Sequence, residues 1–366
     1  MSIKIAGKQG KYGIIRHNKT NSAATAYKAI GSTDNQWTNP VLAATNFRRI
    51  LLTALTPMIE SGVTVDEYNT TSQAGLNKES SNFFIDSNSG LAKFNFSAIA
   101  DRNTLLPLLV AAMQGVTSSL GGGTAYLNYL VSGFLAGAVD FNQGGGFTFG
   151  VCEKIGASAD DGVLLQNGVI DSITLTFDFN AKGVGRLVGV SGTMAFKSVA
   201  YDQTLTGTFV DTTLTPFNNA ELFSLSTFTS DAVDLSSICV RRIEVTIQNS
   251  VTSNCATTGG APNQYDFNPE YLINVIVDHN TLTEKLRNDF KNGATVDFTL
   301  ESSINSDADG YMAIDAPVCK MIGEPMVYNG DFYGYNLPLR AYQSGSTSPL
   351  SIQINSVLAW DFNPTT

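Results

Sequence analysis

A mainly β fold is predicted, arranged as two tandem sandwich- or barrel-like domains with one flanking helix each, and three observations predict it. First, the chain repeats itself. Asp101-Arg102-Asn103-Thr104-Leu105 returns as Asp278-His279-Asn280-Thr281-Leu282, identical at four of five positions, and a helix-length segment and a glycine follow each copy. Arg48-Arg49-Ile50 upstream matches Arg241-Arg242-Ile243, and Asp161-Gly162 downstream matches Asp309-Gly310. The spacing between copies falls from 193 to 177 to 148 residues, so loops differ while the order of elements is kept. Second, only 15% of the 366 residues are charged while 43% are hydrophobic, and Ser, Thr, Asn and Gly are abundant. Third, Phe94, Phe96 and Ala98 alternate with Lys93, Asn95 and Ser97, the period of a half-buried strand.

Taken in order, residues 1–47 read as an N-terminal arm with short strand segments, broken by Gly10, Gly13, Gly31 and Pro40. Phe47 to Ile59 reads as a strand and Glu60 to Ser81 as a long loop or hairpin arm. After the Phe83–Ala100 strand region, Asn103 or Thr104 is expected to cap a helix with Leu105, Leu106, Leu109 and Met113 on its apolar face, stopped by Gly115. The apolar stretch Thr124–Phe141 carries Asn128, Gly133 and Gly137, which suits a packed helix or loop insertion better than a membrane span. Strands are expected at Phe147–Ile155, Val169–Phe179 and Arg186–Lys197. Their counterparts are Ala294–Ile304, Ala316–Met326 and Tyr333–Tyr342, and the Asp-Gly pairs supply the hairpin turns. The second helix carries Leu282, Leu286 and Phe290 and ends at Gly293. Leu350, Ile352 and Ile354 predict a closing strand or an arm laid on a neighbour. The expected domains are 1–205 and 206–366.

Chemistry is sparse. Cys152, Cys239, Cys255 and Cys319 lack zinc-site spacing and read as reduced thiols. His17 and His279 are the two histidines, and His279 is replaced by Arg102 in the other copy, so a surface position at a helix entrance is expected. Gly189-Val190-Ser191-Gly192-Thr193 lacks the last glycine of a nucleophile elbow. Gly121–Gly123 and Gly144–Gly146 lack the lysine of a phosphate loop. Asp307, Asp309 and Asp315 form part of a calcium-loop pattern with incomplete spacing, and a hairpin turn explains both copies at once. No catalytic residue, cofactor or metal ligand is expected, and the basic, glycine-bearing Met1–Lys11 is not expected to act as a secretory leader. Residues 1–205 carry 15 Lys and Arg against 14 Asp and Glu, and residues 206–366 carry 7 against 18. That acidic balance disfavours tight DNA binding.

Strand-rich repeats with one helix, a long arm and no catalytic set resemble the tail tube (major tail) proteins of long-tailed bacteriophages, over roughly Phe47 to Tyr342. The resemblance implies β-sandwich domains whose inner strands merge around a ring, rings stacked into a hollow virion tail tube, and DNA only in passage. It implies partners that are further copies of the chain, preferably three per ring, together with tape-measure, tail terminator and baseplate proteins. It also implies that the arm Glu60–Ser81, with Asp66, Glu67, Tyr68, Leu76 and Lys78, reaches the adjacent ring. Ser250–Asn268, with Asn254, Gln264 and Tyr265, would do likewise. Other readings are a neck or baseplate ring protein sharing the fold, a β-sandwich glycan-binding adhesin and, last, a hydrolase.

Overall fold

Burial alternates residue by residue through the strands, as a pleated backbone with one face in a core requires. The computed structural model describes residues 11–16, 48–59, 64–67, 83–86, 91–121, 126–133, 149–154, 162–196, 198–203, 216–217, 223–231, 233–234, 237–256, 262–279, 281–304, 306, 308–329 and 333–356. The first half comprises β1 (Lys11–Arg16), β2 (Arg48–Ile50), β3 (Leu52–Ile59), β4 (Thr64–Glu67), β5 (Phe83–Asp86), β6 (Ala92–Ile99), α1 (Arg102–Met113), β7 (Gly115–Gly121), β8 (Tyr126–Ser132), β9 (Phe149–Lys154), β10 (Gly162–Asp178), β11 (Gly189–Phe196) and β12 (Ser198–Gln203). The second comprises β13 (Phe223–Ser230), β14 (Val233–Asp234), β15 (Val240–Gln248), β16 (Thr252–Ala256), β17 (Pro262–Asp266), β18 (Glu270–Asp278), α2 (Thr281–Asn292), β19 (Thr295–Ser302), β20 (Met312–Met321), β21 (Met326–Asn329), β22 (Tyr333–Ala341) and β23 (Ser351–Ser356). The fold is mainly β, and every described strand pairing is antiparallel.

The pairings themselves come in two parallel sets. In the first half β1 pairs with β2 and β9, β3 with β6, β4 with β5, and β6 with β11; β10 pairs with β9, β11 and β12. In the second half β13 pairs with β14 and β19, β15 with β18, β16 with β17, and β18 with β22; β20 pairs with β19, β22 and β23. Apart from the β7–β8 pairing, which only the first half has among the described residues, these strand relations of one half have counterparts in the other.

β10 is long because it serves two layers. Its opening residues pair with β9 and β12, and from Ser172 onward it lies between β11 and β15. The crossing is tight: a Cβ added to Gly168 would stand 2.4 Å from the Phe196 ring. Phe196 packs edge-on against Phe94 and Phe149, at 5.9 and 5.7 Å between ring centres. The β10–β15 pairing fuses the halves into one long sheet, ordered β3-β6-β11-β10-β15-β18-β22 and ending on β21 with the last residues of β20. This sheet does not close on itself. One face packs onto the shared core through Phe96, Ile173, Leu175, Ile247, Ile273 and Leu339. Apart from the separate two-stranded β4–β5 and β16–β17 hairpins, the remaining strands of each half form the opposing layer.

α1 lies inside that core, and every residue from Thr104 to Gln114 is buried. This exceeds the expected one-sided stripe, because β8 and β23 cover the face that water would otherwise wet. Its cap is Asp101 rather than Asn103 or Thr104: the Asp101 carboxylate accepts from the Thr104 N–H at 3.3 Å. Its stop is Gln114, at φ +65°, rather than Gly115. Gly115 is required for another reason, since a Cβ there would lie 2.8 Å from the Ser132 carbonyl oxygen. The stretch expected as a packed helix or loop instead contains β8, which pairs with β7 and with β23 of the other half, burying Tyr129 and Val131. A free strand edge on β23 decides this run, since apolar residues alone do not separate strand from helix. The expected Arg186–Lys197 strand begins at Gly189, after a 3₁₀ turn over Gly183–Arg186.

Candidate functional site

Three features of the long sheet are candidates for function: the face that no described element covers, its two margins and the two hairpins at one end. The uncovered face is lined by hydroxyl, amide and charged groups, because the alternation that buries Phe94, Phe96 and Ala98 turns Lys93, Asn95 and Ser97 outward. Neighbouring strands tie these groups together. Thr53 and Ser97 hydroxyls meet at 2.9 Å, Thr193 donates to Asn95 at 3.0 Å, and the Thr174 and Thr246 hydroxyls meet at 2.9 Å across β10–β15. Charges are paired as well: Lys93 with Asp171 at 3.0 Å, Arg340 with Glu270 at 3.0 Å, and Arg242 with Glu244. Each exposed pair adds little stability, but together they leave the face polar and charge-compensated.

Strand direction places the hairpins. β3 and β15 run the same way in an alternating sheet, so the β4–β5 and β16–β17 hairpins leave from the same end. Their roots are four strand positions apart, roughly 19 Å along the sheet. Both helices follow β6 and β18 at the opposite end. Between the roots lies a polar cavity of about 520 Å³ lined by Lys93, Asp171, Ser172, Gln248 and Ser250 among others. Asp171 organises it. Sitting at a bulge of β10, its carboxylate binds the Lys93 ammonium and accepts from the Val251 N–H, while its carbonyl accepts from the Asn249 N–H. Asn249 in turn donates to the carbonyls of Ala112 and Ile170, fastening the end of α1 to the second half.

At the helix end, Arg241 grips Asp278 with two bonds of 2.7 Å. The hydrogen-bonded guanidinium holds the Asp278 carboxyl below the usual carboxylate range. Burial, with the same Asp278, pushes the nearby Cys239 thiol up. Asp297 is raised by burial and by Asp315, and the Cys319 thiol is pushed up to about 12 by burial and those two acids. A thiol so protonated is a packing group and not a nucleophile at neutral pH.

Of the residues expected to reach a neighbour, Asp66 and Glu67 lie on β4, opposite Phe84 and Phe83, in the first hairpin. Asn254 pairs with Gln264 and Ser253 with Tyr265 in the second. Tyr68, Leu76 and Lys78 lie outside the described residues, as does Asp307. Asp315 belongs to β20, where it accepts the Thr299 hydroxyl at 2.9 Å, and Gly310 takes the expected turn at φ +88°. Among the described residues no three His, Cys, Asp or Glu side chains gather as a metal group. His279 stacks on Tyr335 with ring centres 5.6 Å apart. Among the described residues no helix is long and apolar enough to cross a membrane. The sheet face and the bulge at Asp171 escaped the sequence reading, because they depend on which strands become neighbours. No family model matches the chain, and no curated protein matches it significantly.

Proposed function

We propose that this chain is a structural subunit of a ring that stacks into a hollow tube, the tail tube of a long-tailed bacteriophage. The observation that carries the reading is one long sheet built from both halves, with one polar face uncovered and both hairpins leaving from the same end. A sheet that extends around a ring turns such a face toward the lumen. Hairpins at one end give the ring a polarity, and head-to-tail contacts between polar rings propagate a filament. A lumen of hydroxyls, amides and compensated charges presents passing DNA with no run of unpaired cations to hold it. The twofold set of pairings supports descent from a duplicated single unit. On the resemblance, two such units per chain imply three chains per ring. Tape-measure, terminator and baseplate proteins would be its partners in the virion.

Electron microscopy of the purified protein across a concentration series tests this. Hollow tubes or stacked rings with threefold symmetry are the expected result. Lone closed rings would move the assignment to a neck or baseplate component, and monomers at every concentration would argue against an assembly protein.

A further inference from the structure

The long sheet has two margins. Among the described residues β3 pairs only with β6, and Met321, Ile322 and β21 meet only β22 along their length. An exposed, unpaired edge is a template for another strand. The repeated pairings say which strand. Passing through matched partners, β3 occupies in the first half the place of β15 in the second: Thr56 lies opposite Asn95 as Thr246 lies opposite Leu272. In the same way the end of β20 with β21 occupies the place of the later part of β10. Met321 faces Leu339 as Ile173 faces Gly192, and Met326 faces Asn336 as Thr176 faces Gly189. The chain already joins one such pair of edges internally, in β10–β15, and leaves the equivalent pair open at its two margins.

We infer that the margin formed by Ile322 and β21 of one copy pairs antiparallel with β3 of a second copy, in the register that β10 and β15 adopt within the chain. This deepens the ring reading and rests on it only for the number of copies. Thr174 opposite Thr246 becomes Ile322 opposite Thr56, and Met326 falls opposite Ala54. A second observation agrees. Of the four exposed large hydrophobic side chains among the described residues, Met58 (58% exposed) and Ile322 (47%) lie on these two margins, and the register brings them beside each other. Where the internal joint has a threonine pair, the joint between copies gains an apolar contact. Pro57, which has no N–H to give, falls opposite Met321 at the end of the joint, where a missing bond interrupts least. The break at Gly323–Pro325 also shortens this joint relative to β10–β15.

The test is a disulfide across the joint. Thr56→Cys and Ile322→Cys are introduced together in a Cys239→Ser chain, with each single variant as control, and mildly oxidised. Directly opposed strand positions are within disulfide reach. A ladder of covalent multimers from the double variant alone, capped by a ring-sized species, is expected. A second variant, Met58→Lys with Ile322→Lys, should lower association at least tenfold by sedimentation while circular dichroism and melting stay unchanged, since both side chains are exposed. Oligomers or tubes that form without the cross-link would overturn the joint and leave the tube reading standing. Cross-linked single rings that never stack would do the reverse, and monomers that neither cross-link nor associate would overturn both.

Discussion

The two halves share most of their strand pairings yet use their matching parts differently, and the helices show it best. α1 is buried on all sides beneath β8 and β23, whereas α2 exposes Arg287, Asn288 and Lys291 and buries Leu286 and Asp289. The conserved order of elements therefore sets a place for a helix but not its environment. The β7–β8 insertion accounts for the difference. It belongs to the first half in sequence, adds strands to β23 of the second, and covers α1 in doing so.

The strongest way to break this comparison is to charge both helices at matched positions. Ala111→Glu places a carboxylate where nothing can solvate it and should cost roughly 4 kcal/mol or more, enough to abolish cooperative unfolding. Asn288→Glu, at the matching position of α2, should stay within about 0.5 kcal/mol in urea melts. Equal losses would mean that the helices are not in different environments.

Next in size is Gly192→Ala. Its Cβ would lie 2.0 Å from the Ser172 carbonyl oxygen and 2.9 Å from the Ile173 Cα, both backbone atoms, because β10 bulges at Asp171. A loss of about 3 kcal/mol is expected from such overpacking. The matching position in the second half is Leu339, buried with a full side chain, so Leu339→Ala should be destabilising there by about 2–5 kcal/mol through a cavity. Chemical denaturation of both variants separates clash from cavity.

The helix stops invert in sign. Gln114 and Gly293 both adopt left-handed backbone, at φ +65° and +66°. Gln114→Gly removes a strained conformation worth about 1 kcal/mol, partly offset by the lost bond from its amide to the Ala111 carbonyl. Gly293→Ala should cost about 1 kcal/mol by strain alone, since its Cβ would meet nothing within 4 Å. Opposite signs in thermal melts are the expected outcome.

The smallest effect concerns the repeated aspartates. Asp278 is held ionised by Arg241, so its contribution is present above the ordinary carboxylate range and is lost as pH falls through its lowered folded value. The partly exposed pair should contribute under about 1 kcal/mol. Asp278→Asn should therefore be less stable than the parent from pH 7 down to about 5, with the gap closing below about pH 4. A gap that widened in acid would contradict the pair. Asp101→Ala, which removes a cap instead, should cost about 1 kcal/mol.

Much of this was legible early. The Asp-x-Asn-Thr-Leu repeat located both helices, the Phe94–Ala98 alternation located β6, and Asp309-Gly310 located the turn before β20, while Asp161 lies outside the described residues and Gly162 opens β10. The role of the repeated aspartate was not legible. Asp101 caps because α1 begins at Arg102, while α2 begins at Thr281 and leaves Asp278 in β18 to meet Arg241, 37 residues away. The site was less legible still, since the hairpins could be placed in sequence but not their common end.

Sequence by itself determined the β class, the doubled order of elements and the polar alternation of each strand, because period and turn chemistry act between near neighbours in the chain. The tertiary structure alone decided that β10 joins β15, that β8 crosses to β23, and that β3 and β21 stand as margins among the described residues. Those outcomes depend on which strand edges are free when distant segments meet, and a backbone edge carries no side-chain signature to read in advance.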